Sequence, residues 1–196
     1  QTIEVPENSE LRIIEKGAFE NTPIESFTIP PHLTKISEYV FARCEKLRTI
    51  EIPANSELRT IEKKAFFESS IESLIIPSTV TDLKEGFETK NLTKITIMPQ
   101  NPRYSIIDEK LIIGKSSTEN ENYDDLIFCI QNVKSISIPS FIKSICQYAF
   151  YGCNQLQTLN ISSNSELKTI SRKAFYGTRI DSLTIPSKVN DLKVGW

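Results

Sequence analysis

The sequence predicts a strand-dominated repeat solenoid with one inserted β-hairpin. Eight segments share the frame apolar–x–x–apolar–x–apolar, and most of them end at a proline. Nearly the same twelve residues also occur three times, as NSELRIIEKGAF from Asn8, NSELRTIEKKAF from Asn55 and NSELKTISRKAF from Asn164. Because repeats of this kind bury their apolar faces only against neighbouring repeats, the pattern favours a single stacked array over residues 1–196.

The repeat period indicates which kind of solenoid this is. The eight segments start near residues 3, 24, 47, 71, 92, 133, 156 and 180, and most steps are 22 to 24 residues. Leucine-rich repeats have periods of about 20–29 residues. Ile50 and Ile52 alternate with Thr49 and Glu51, which predicts a short strand with one face inward. We therefore expect a leucine-rich-repeat solenoid with parallel strands on its concave side and short turns or helical turns on its convex side.

Two further features of each repeat fit this fold. The proline after the strand cannot donate to a ladder, so it ends the strand and turns the chain. The second half of the repeat carries an apolar pair and then an aromatic residue, as in Leu58, Ile61 and Phe66. We assign these side chains to the core, where each is worth about 1.5–3 kcal/mol when fully buried.

A longer repeat of 109 residues is superimposed on the short one. Shifting the sequence by 109 positions places Phe41 on Phe150 and Cys44 on Cys153, and residues 30–87 recur as 139–196. One long step, residues 101–132, interrupts the regular period. There KLIIG and LIFCI flank the polar stretch KSSTENENYDD, which predicts a β-hairpin or meander inserted between two repeats.

Composition excludes several classes of function. The chain is 39% hydrophobic and 24% charged, as in ordered soluble proteins. Its net charge of −2 is spread without a basic stripe, so we expect no nucleic-acid partner. No apolar run approaches the roughly 18 residues that span a bilayer. Since the chain begins at Gln1 rather than Met, we interpret it as a fragment, and missing targeting signals then say nothing about location.

The sequence offers no catalytic or metal-binding constellation. His32 is the single histidine, and its PPH turn predicts an exposed loop residue. The acidic stretch Glu119–Asp125 lacks the D-x-[DN]-x-[DN]-G pattern of calcium loops, so we expect a solvated hairpin tip. We therefore predict that the chain is not an enzyme and takes no cofactor and no metal.

The cysteines and the glycosylation sequons leave two questions open. Cys44 and Cys153 occupy equivalent inward positions and are expected to be small buried hydrophobes. A bridge between Cys129 and Cys146 stays open as an alternative to free thiols. Asn91 begins a sequon whose use the sequence does not decide, whereas the sequon at Asn160 lies on a strand and suits an acceptor poorly.

The outward side of the predicted strands is the candidate binding surface. It is rich in Ser and Thr and poor in charge, and its end strands add Ser26, Thr28, Ser182 and Thr184. Such residues also suit any exposed parallel ladder, so a purely structural role is the alternative. We call this surface the strand face, and its ten members are Thr49, Glu51, Ser73, Ile75, Lys94, Thr96, Ser135, Ser137, Thr158 and Asn160.

The repeat motif resembles a known family. The pattern V/I-x-x-I-x-x-x-A-F-x-x-C-x-x-L-x-x-I-x-I-P is carried by FARCEKLRTIEIP from Phe41 and AFYGCNQLQTLNI from Ala149. It is similar to the BspA-like, or treponemal-type, leucine-rich repeat, and NPRYSIIDEKLIIG resembles the interruption found in that family. The DLK-x-G-[FW] endings and KLIIGKS resemble the set of such proteins in a flagellate protozoan parasite.

The resemblance implies a function as well as a fold. Members are surface or secreted proteins of mucosal bacteria and protozoa, implicated in adhesion to host matrix proteins, host cells or other microbes. The resemblance thus predicts a cell-surface or secreted adhesion module that binds a protein or glycoprotein through an extended face. The alternative is a structural spacer or interaction scaffold with no ligand of its own. An exposed final repeat also predicts end-to-end self-association.

Overall fold

The structure is a computed structural model that describes residues 3–84, 87–89 and 91–193. The chain divides into two compact units, unit 1 (Gln1–Pro102) and unit 2 (Arg103–Trp196). Each unit is built of short strands and turns stacked as a solenoid, and the described residues include no helix. The predicted strand-dominated leucine-rich-repeat fold is therefore confirmed.

The described residues of unit 1 form seven short strands that alternate between two ladders. In chain order they are β1 (Ser26–Thr28), β2 (Lys35–Ile36), β3 (Thr49–Glu51), β4 (Thr60–Ile61), β5 (Ser73–Ile76), β6 (Asp82–Leu83) and β7 (Lys94–Ile97). The first ladder has the order β1-β3-β5-β7 and the second the order β2-β4-β6. All of these pairings are parallel.

The first ladder is the predicted strand surface. Each of its strands begins two residues after a predicted repeat start, because the first apolar residue of the frame lies in the turn before the strand. Phe27 pairs with Ile50 and Leu74 with Ile95, and all four side chains are buried. The partial segment at Ile3 adds a single parallel bridge to Phe27.

The opposite side consists of the two-residue ladder and tight turns. The sequence left short turns and helical turns open, and the structure has turns. Each turn contains two residues with positive φ, four positions apart, such as Lys64 (57°) and Glu68 (54°). Successive turns are joined by backbone hydrogen bonds, for example from Phe41 N to Ala65 O at 2.9 Å. The left-handed residues redirect the chain so that these bonds run between repeats rather than within one.

The repeated NSEL sequence has a local structural cause. In all three copies the serine hydroxyl accepts a hydrogen bond from the backbone N–H of the leucine two residues later, at 3.2 Å. Ser56 and Ser165 are buried, so their hydroxyls satisfy a backbone donor that water does not reach. The leucines of these copies, Leu58 and Leu167, then enter the core.

A column of phenylalanines forms the centre of unit 1. Phe41 stacks on Phe66 with ring centroids 5.8 Å apart and an interplanar angle of 5°, and on Phe19 at 5.6 Å. Phe27 contacts Phe19 and Phe41 with tilted rings. Unit 2 repeats the arrangement with one pair, Phe150 and Phe175, at 5.2 Å.

The described residues of unit 2 form eight strands. In chain order they are β8 (Tyr104–Ile107), β9 (Leu111–Gly114), β10 (Asp125–Cys129), β11 (Ser135–Ile138), β12 (Ser144–Ile145), β13 (Thr158–Ile161), β14 (Thr169–Ile170) and β15 (Asp191–Leu192). The first ladder of unit 2 pairs β11 with β13, and its second ladder is part of a sheet with the order β15-β14-β12-β10-β9-β8. Strands β12, β14 and β15 lie 109 residues after β2, β4 and β6, as the long repeat predicts.

The predicted insertion is a three-stranded meander. β8, β9 and β10 are antiparallel, and β10 then pairs in parallel with β12, so the insertion extends the second ladder of unit 2. The sequence identified β9 and β10 but missed β8. Asp108 and Glu109 turn the chain between β8 and β9 with φ of 50° and 55°. A turn of this type usually carries glycine, and its absence removed the signal.

The last predicted repeat forms only in part. The segment from Ile180 was expected to contribute a strand with Ser182 and Thr184 outward, and no strand forms there. Leu183 and Ile185 are only half-buried. β15 still pairs with β14, so the repeat keeps its place in the second ladder. Residues 85–86 and 194–196 of the long repeat lie outside the described residues.

Removing one ring from the aromatic column should be costly. We expect Phe66→Ala to lower the free energy of unfolding by about 3–5 kcal/mol, because Phe66 is fully buried and stacked. The neighbouring Phe67 is half-buried, and Phe67→Ala should cost about 1–2 kcal/mol. Urea unfolding followed by circular dichroism checks both values, and equal losses would contradict the assignment of the column as the core.

The meander contains a half-buried acid that should make stability depend on pH. Burial raises the pKa of the Asp125 carboxyl above its ordinary value of 3.8, and Asp124 raises it further. The folded state therefore retains a proton that the unfolded state has lost, so stability falls as pH rises from about 3.8 through the folded pKa. Asp125→Asn should raise the urea midpoint at neutral pH, and the gain should vanish near pH 3.

Asp124 provides the matched control for that measurement. Its carboxylate lies 3.0 Å from Lys143 Nζ, so Asp124→Asn loses an ion pair as well as the repulsion of Asp125, and it should stabilise the protein less than Asp125→Asn does at neutral pH. A gain from Asp125→Asn that is the same at every pH would contradict the role of ionisation.

Candidate functional site

The strand face exists in both units. Unit 1 carries six of its ten members on β3, β5 and β7, and unit 2 carries four on β11 and β13. Nine of the ten side chains are exposed and Ser73 is half-buried. Inward and outward side chains alternate along a strand. The residues of the face are therefore exposed because the apolar residues between them are buried in the core.

Register places these side chains in rows across the strands. In unit 1, Thr49 lies between Ser26 and Ser73, and Ser73 lies next to Lys94. In unit 2, Ser135 pairs with Thr158 and Ser137 with Asn160. Neighbouring strands in a parallel sheet are about 4.8 Å apart, so each row presents polar groups at a regular spacing.

Some polar groups of the face bind each other. Thr28 Oγ1 donates to Glu51 Oε2 at 3.1 Å, and Asn160 Nδ2 donates to Ser137 Oγ at 3.5 Å. These bonds lie in water, where they stabilise the fold little and exchange readily for bonds to another molecule. The face can therefore donate and accept hydrogen bonds without a rearrangement of the backbone.

The face has charge of both signs and a single large apolar side chain. Glu51 and Lys94 are its charged members, and Ile75 is 45% exposed. The ten residues include no aromatic side chain and no arginine. Aromatic and arginine side chains dominate tight protein interfaces, so this chemistry favours a broad, weak contact.

Each unit also has a shallow cleft along the face. In unit 1 a cleft of about 460 Å³ is lined by Thr28 and Glu51 together with Pro30 and Pro53. In unit 2 a cleft of about 500 Å³ is lined by Ser137, Thr158, Asn160, Ser182 and Thr184. The second cleft lies where the last repeat forms no strand, so its lining is mainly hydroxyl and backbone groups.

Comparison with known proteins identifies the family. The BspA type leucine-rich repeat region matches residues 12–119 and 121–195, in six copies. The chain belongs to this family. The match covers most of the sequence and confirms the resemblance that the repeat motif indicated.

Solved leucine-rich-repeat structures share the fold of this BspA-type chain. The pneumococcal vaccine antigen PcpA is 22% identical, with a TM-score of 0.81, over 96% of this chain and 51% of PcpA. A protein from Eubacterium ventriosum is 22% identical, with a TM-score of 0.77, over 95% of this chain and 54% of that one. A leucine rich cell surface protein from Faecalibacterium prausnitzii gives 22% identity and a TM-score of 0.63 over 90% and 62%.

The similarity to these solved structures concerns the fold. At 22% identity they show the fold alone, and the chain spans about half the length of the first two structures. No curated protein matches the chain. Among the residues that the structure describes, no helix is both long and apolar enough to cross a bilayer.

A second surface of the BspA-type repeats escaped the sequence analysis. On the turn side of unit 1, Lys16 and Lys64 lie 5.2 and 5.6 Å from the ring centroid of Tyr39. In unit 2, Lys173 lies 5.8 and 5.2 Å from the rings of Tyr148 and Tyr176. The 109-residue shift, which places Tyr39 on Tyr148 and Lys64 on Lys173, was the signal that could have revealed it.

An ion pair accompanies this turn-side surface. Lys16 Nζ donates to Glu38 Oε2 at 2.8 Å. That bond raises the pKa of Lys16 and lowers the pKa of Glu38. Lys16 is exposed and Glu38 is half-buried, so the pair fixes the lysine over Tyr39 rather than adding much to stability.

The remaining residues considered from the sequence are the single histidine, a sequon asparagine and the acidic tip of the hairpin. His32 is half-exposed in its turn, and its Nδ1 is 3.0 Å from Glu57 Oε1, which lowers the pKa of Glu57. Asn91 is exposed. At the acidic tip, Asn120 Nδ2 donates to Ser116 Oγ at 2.9 Å. Within the described residues no three His, Cys, Asp or Glu side chains gather as a metal site.

The strand face should be separable from the fold. Thr158 is exposed, and Thr158→Ala should change the free energy of unfolding by no more than about 0.5 kcal/mol. The next residue, Leu159, faces inward, and Leu159→Ala should cost about 2–5 kcal/mol. Urea unfolding of the two variants tests this. If Thr158→Ala lowered the free energy of unfolding by more than about 2 kcal/mol, the strand face would be needed for stability and the prediction would be wrong.

Proposed function

We propose that this chain is a non-enzymatic recognition module at a cell surface and that the strand face of each unit binds a protein or glycoprotein. The observation that carries the proposal is the face itself, in-register rows of exposed hydroxyl and amide groups that the core does not use. Extended sheet surfaces of this kind are the usual binding surfaces of repeat proteins.

The setting of the partner is part of the proposal. One structural neighbour is described as a cell surface protein and another as a vaccine antigen, which supports a surface location. The DLK-x-G-[FW] endings and KLIIGKS, which resemble proteins of a flagellate protozoan parasite, support host extracellular matrix or a host cell surface as the place of the partner. Hydroxyl and amide rows suit the polar surface of a glycoprotein, with which they can exchange donors and acceptors.

The chemistry of the face sets the expected strength of binding. Without an aromatic or arginine anchor, a single copy should bind weakly, whereas linked copies gain about 10²–10⁴ in avidity. End-to-end self-association would supply such copies. Multivalent display is therefore the condition in which binding should be measured.

A structural spacer is the second candidate, because hydroxyl rows also stabilise an exposed ladder. Cross-strand Ser and Thr pairs such as Ser135 and Thr158 contribute about 0.2–1 kcal/mol each without any partner. A spacer predicts that the chemistry of the face does not affect adhesion.

A charged variant of the face distinguishes the two functions. We expect Thr49→Glu, Thr96→Glu and Ser135→Glu in one chain to reduce binding of protein-coated beads to host cells and matrix proteins by at least about tenfold. No two of these positions are paired in register, so the new charges do not oppose each other across strands. Bead retention under flow measures the effect.

The control carries the same charge outside the face. Ala54→Glu, Ser78→Glu and Ser140→Glu each alter an exposed turn residue directly after a proline, and should leave retention unchanged. Equal retention of the two variants would favour the spacer. No retention of the wild-type protein above beads coated with an unrelated protein would also overturn the adhesion proposal.

A further inference from the structure

The described core of unit 2 contains two thiols that meet at one backbone oxygen. Cys129 Sγ lies 3.5 Å from the carbonyl oxygen of Ile130, and Cys153 Sγ lies 3.5 Å from the same oxygen. Cys153 Sγ is also 3.7 Å from Cys129 O. The two thiols therefore lie at the same carbonyl group, in consecutive layers of the solenoid.

The backbone fixes this arrangement. Cys129 is the last residue of β10, and its N–H donates to Ala149 O at 2.8 Å in the turn of the next repeat. Cys153 ends that turn, with its own N–H donating to Phe150 O at 3.1 Å. Both cysteines are therefore hydrogen-bonded to the same turn, Cys129 from the end of β10 and Cys153 from the end of the turn itself.

Unit 1 has a hydroxyl group beside the cysteine that corresponds to Cys153. There Thr22 Oγ1 and Cys44 Sγ share the carbonyl oxygen of Phe19, at 2.8 and 3.0 Å, and lie 3.6 Å apart. Cys44 is the residue that the 109-residue shift places on Cys153. The site thus holds a hydroxyl beside a thiol in unit 1 and two thiols in unit 2.

We propose that Cys129 and Cys153 form a disulfide when the protein folds in an oxidising environment, with a small-molecule disulfide as the oxidant. One cysteine thiolate attacks the oxidant and releases one thiolate, giving a mixed disulfide. The other cysteine attacks that mixed disulfide and releases the second thiolate. The two cysteine protons pass to the two released thiolates, so the protein is oxidised by two electrons and the oxidant is reduced to two thiols.

Burial determines when the bond forms. Both side chains are fully buried, and the adjacent Cys153 thiol together with burial raises the pKa of Cys129. A buried neutral thiol reacts slowly, so closure belongs to folding, when both thiols are still exposed. Once formed, the bond ties the end of the meander to the turn of the next repeat and is shielded from reductants.

The other cysteines differ in their surroundings. Cys44 has a hydroxyl as its neighbour, and burial raises the pKa of Cys146 to about 12. The bridge between Cys129 and Cys146 that the sequence left open is a different outcome, since the thiol that shares the Ile130 oxygen with Cys129 belongs to Cys153.

Refolding in a glutathione redox buffer tests the proposal on the full chain. After unfolding and alkylation, we expect two modified cysteines, Cys44 and Cys146, against four in a reduced sample, and one peptide pair that links Cys129 to Cys153. The oxidised protein should melt about 6–12 °C higher than the reduced protein. Four alkylated cysteines in refolded protein, or a link to Cys146, would overturn the proposal.

Variants provide the matched comparison. Cys153→Ala should abolish the linked peptide and the difference in melting temperature between oxidised and reduced samples, whereas Cys44→Ala should preserve both. If Cys153→Ala does not fold, the number of alkylated cysteines in the refolded wild-type protein still tests the proposal, because that measurement needs no substitution. Neither outcome depends on whether the strand face binds a partner.

Discussion

Stacking of one repeat on the next is the constraint on which the rest of this structure depends. A single repeat has no core of its own, so each inward side chain is buried by residues of adjacent repeats. Leu74 lies beside Ile95, and Ile136 beside Leu159. Backbone hydrogen bonds run in the same direction, since both ladders join successive repeats. A change in one layer therefore affects the layers on both sides.

The irregular parts of the chain follow from the same constraint. The meander keeps the second ladder of unit 2 continuous, because β10 is antiparallel to β9 and parallel to β12. In the repeat from Ile180 the strand of the first ladder does not form, although β15 does. Strand pairing therefore persists where the partner strand β14 is present.

The sequence predicted what periodicity encodes. The positions of Ile50, Leu58 and Phe66 in the core follow from spacing, because a stacked array uses each position in the same way in every layer. β8 was missed since its turn lacks glycine, and the neighbour of Cys129 could not be predicted because insertion lengths do not determine which layer a strand joins. Exposure of the strand face was predictable, whereas its partner depends on chemistry outside the chain.

The two exposed sides of the repeats differ in a way that constrains any partner. The strand face offers hydroxyl and amide groups in rows, with Ile75 as its single large apolar contact. The turn side offers aromatic rings with cations above them, such as Lys173 over Tyr148 and Tyr176. Cation–aromatic pairs are already satisfied by each other, and a partner would have to displace the lysine to reach the ring. The hydroxyl rows require no such displacement, because a partner has to replace mainly water to bind them. This difference favours the strand face as the surface that binds a second molecule.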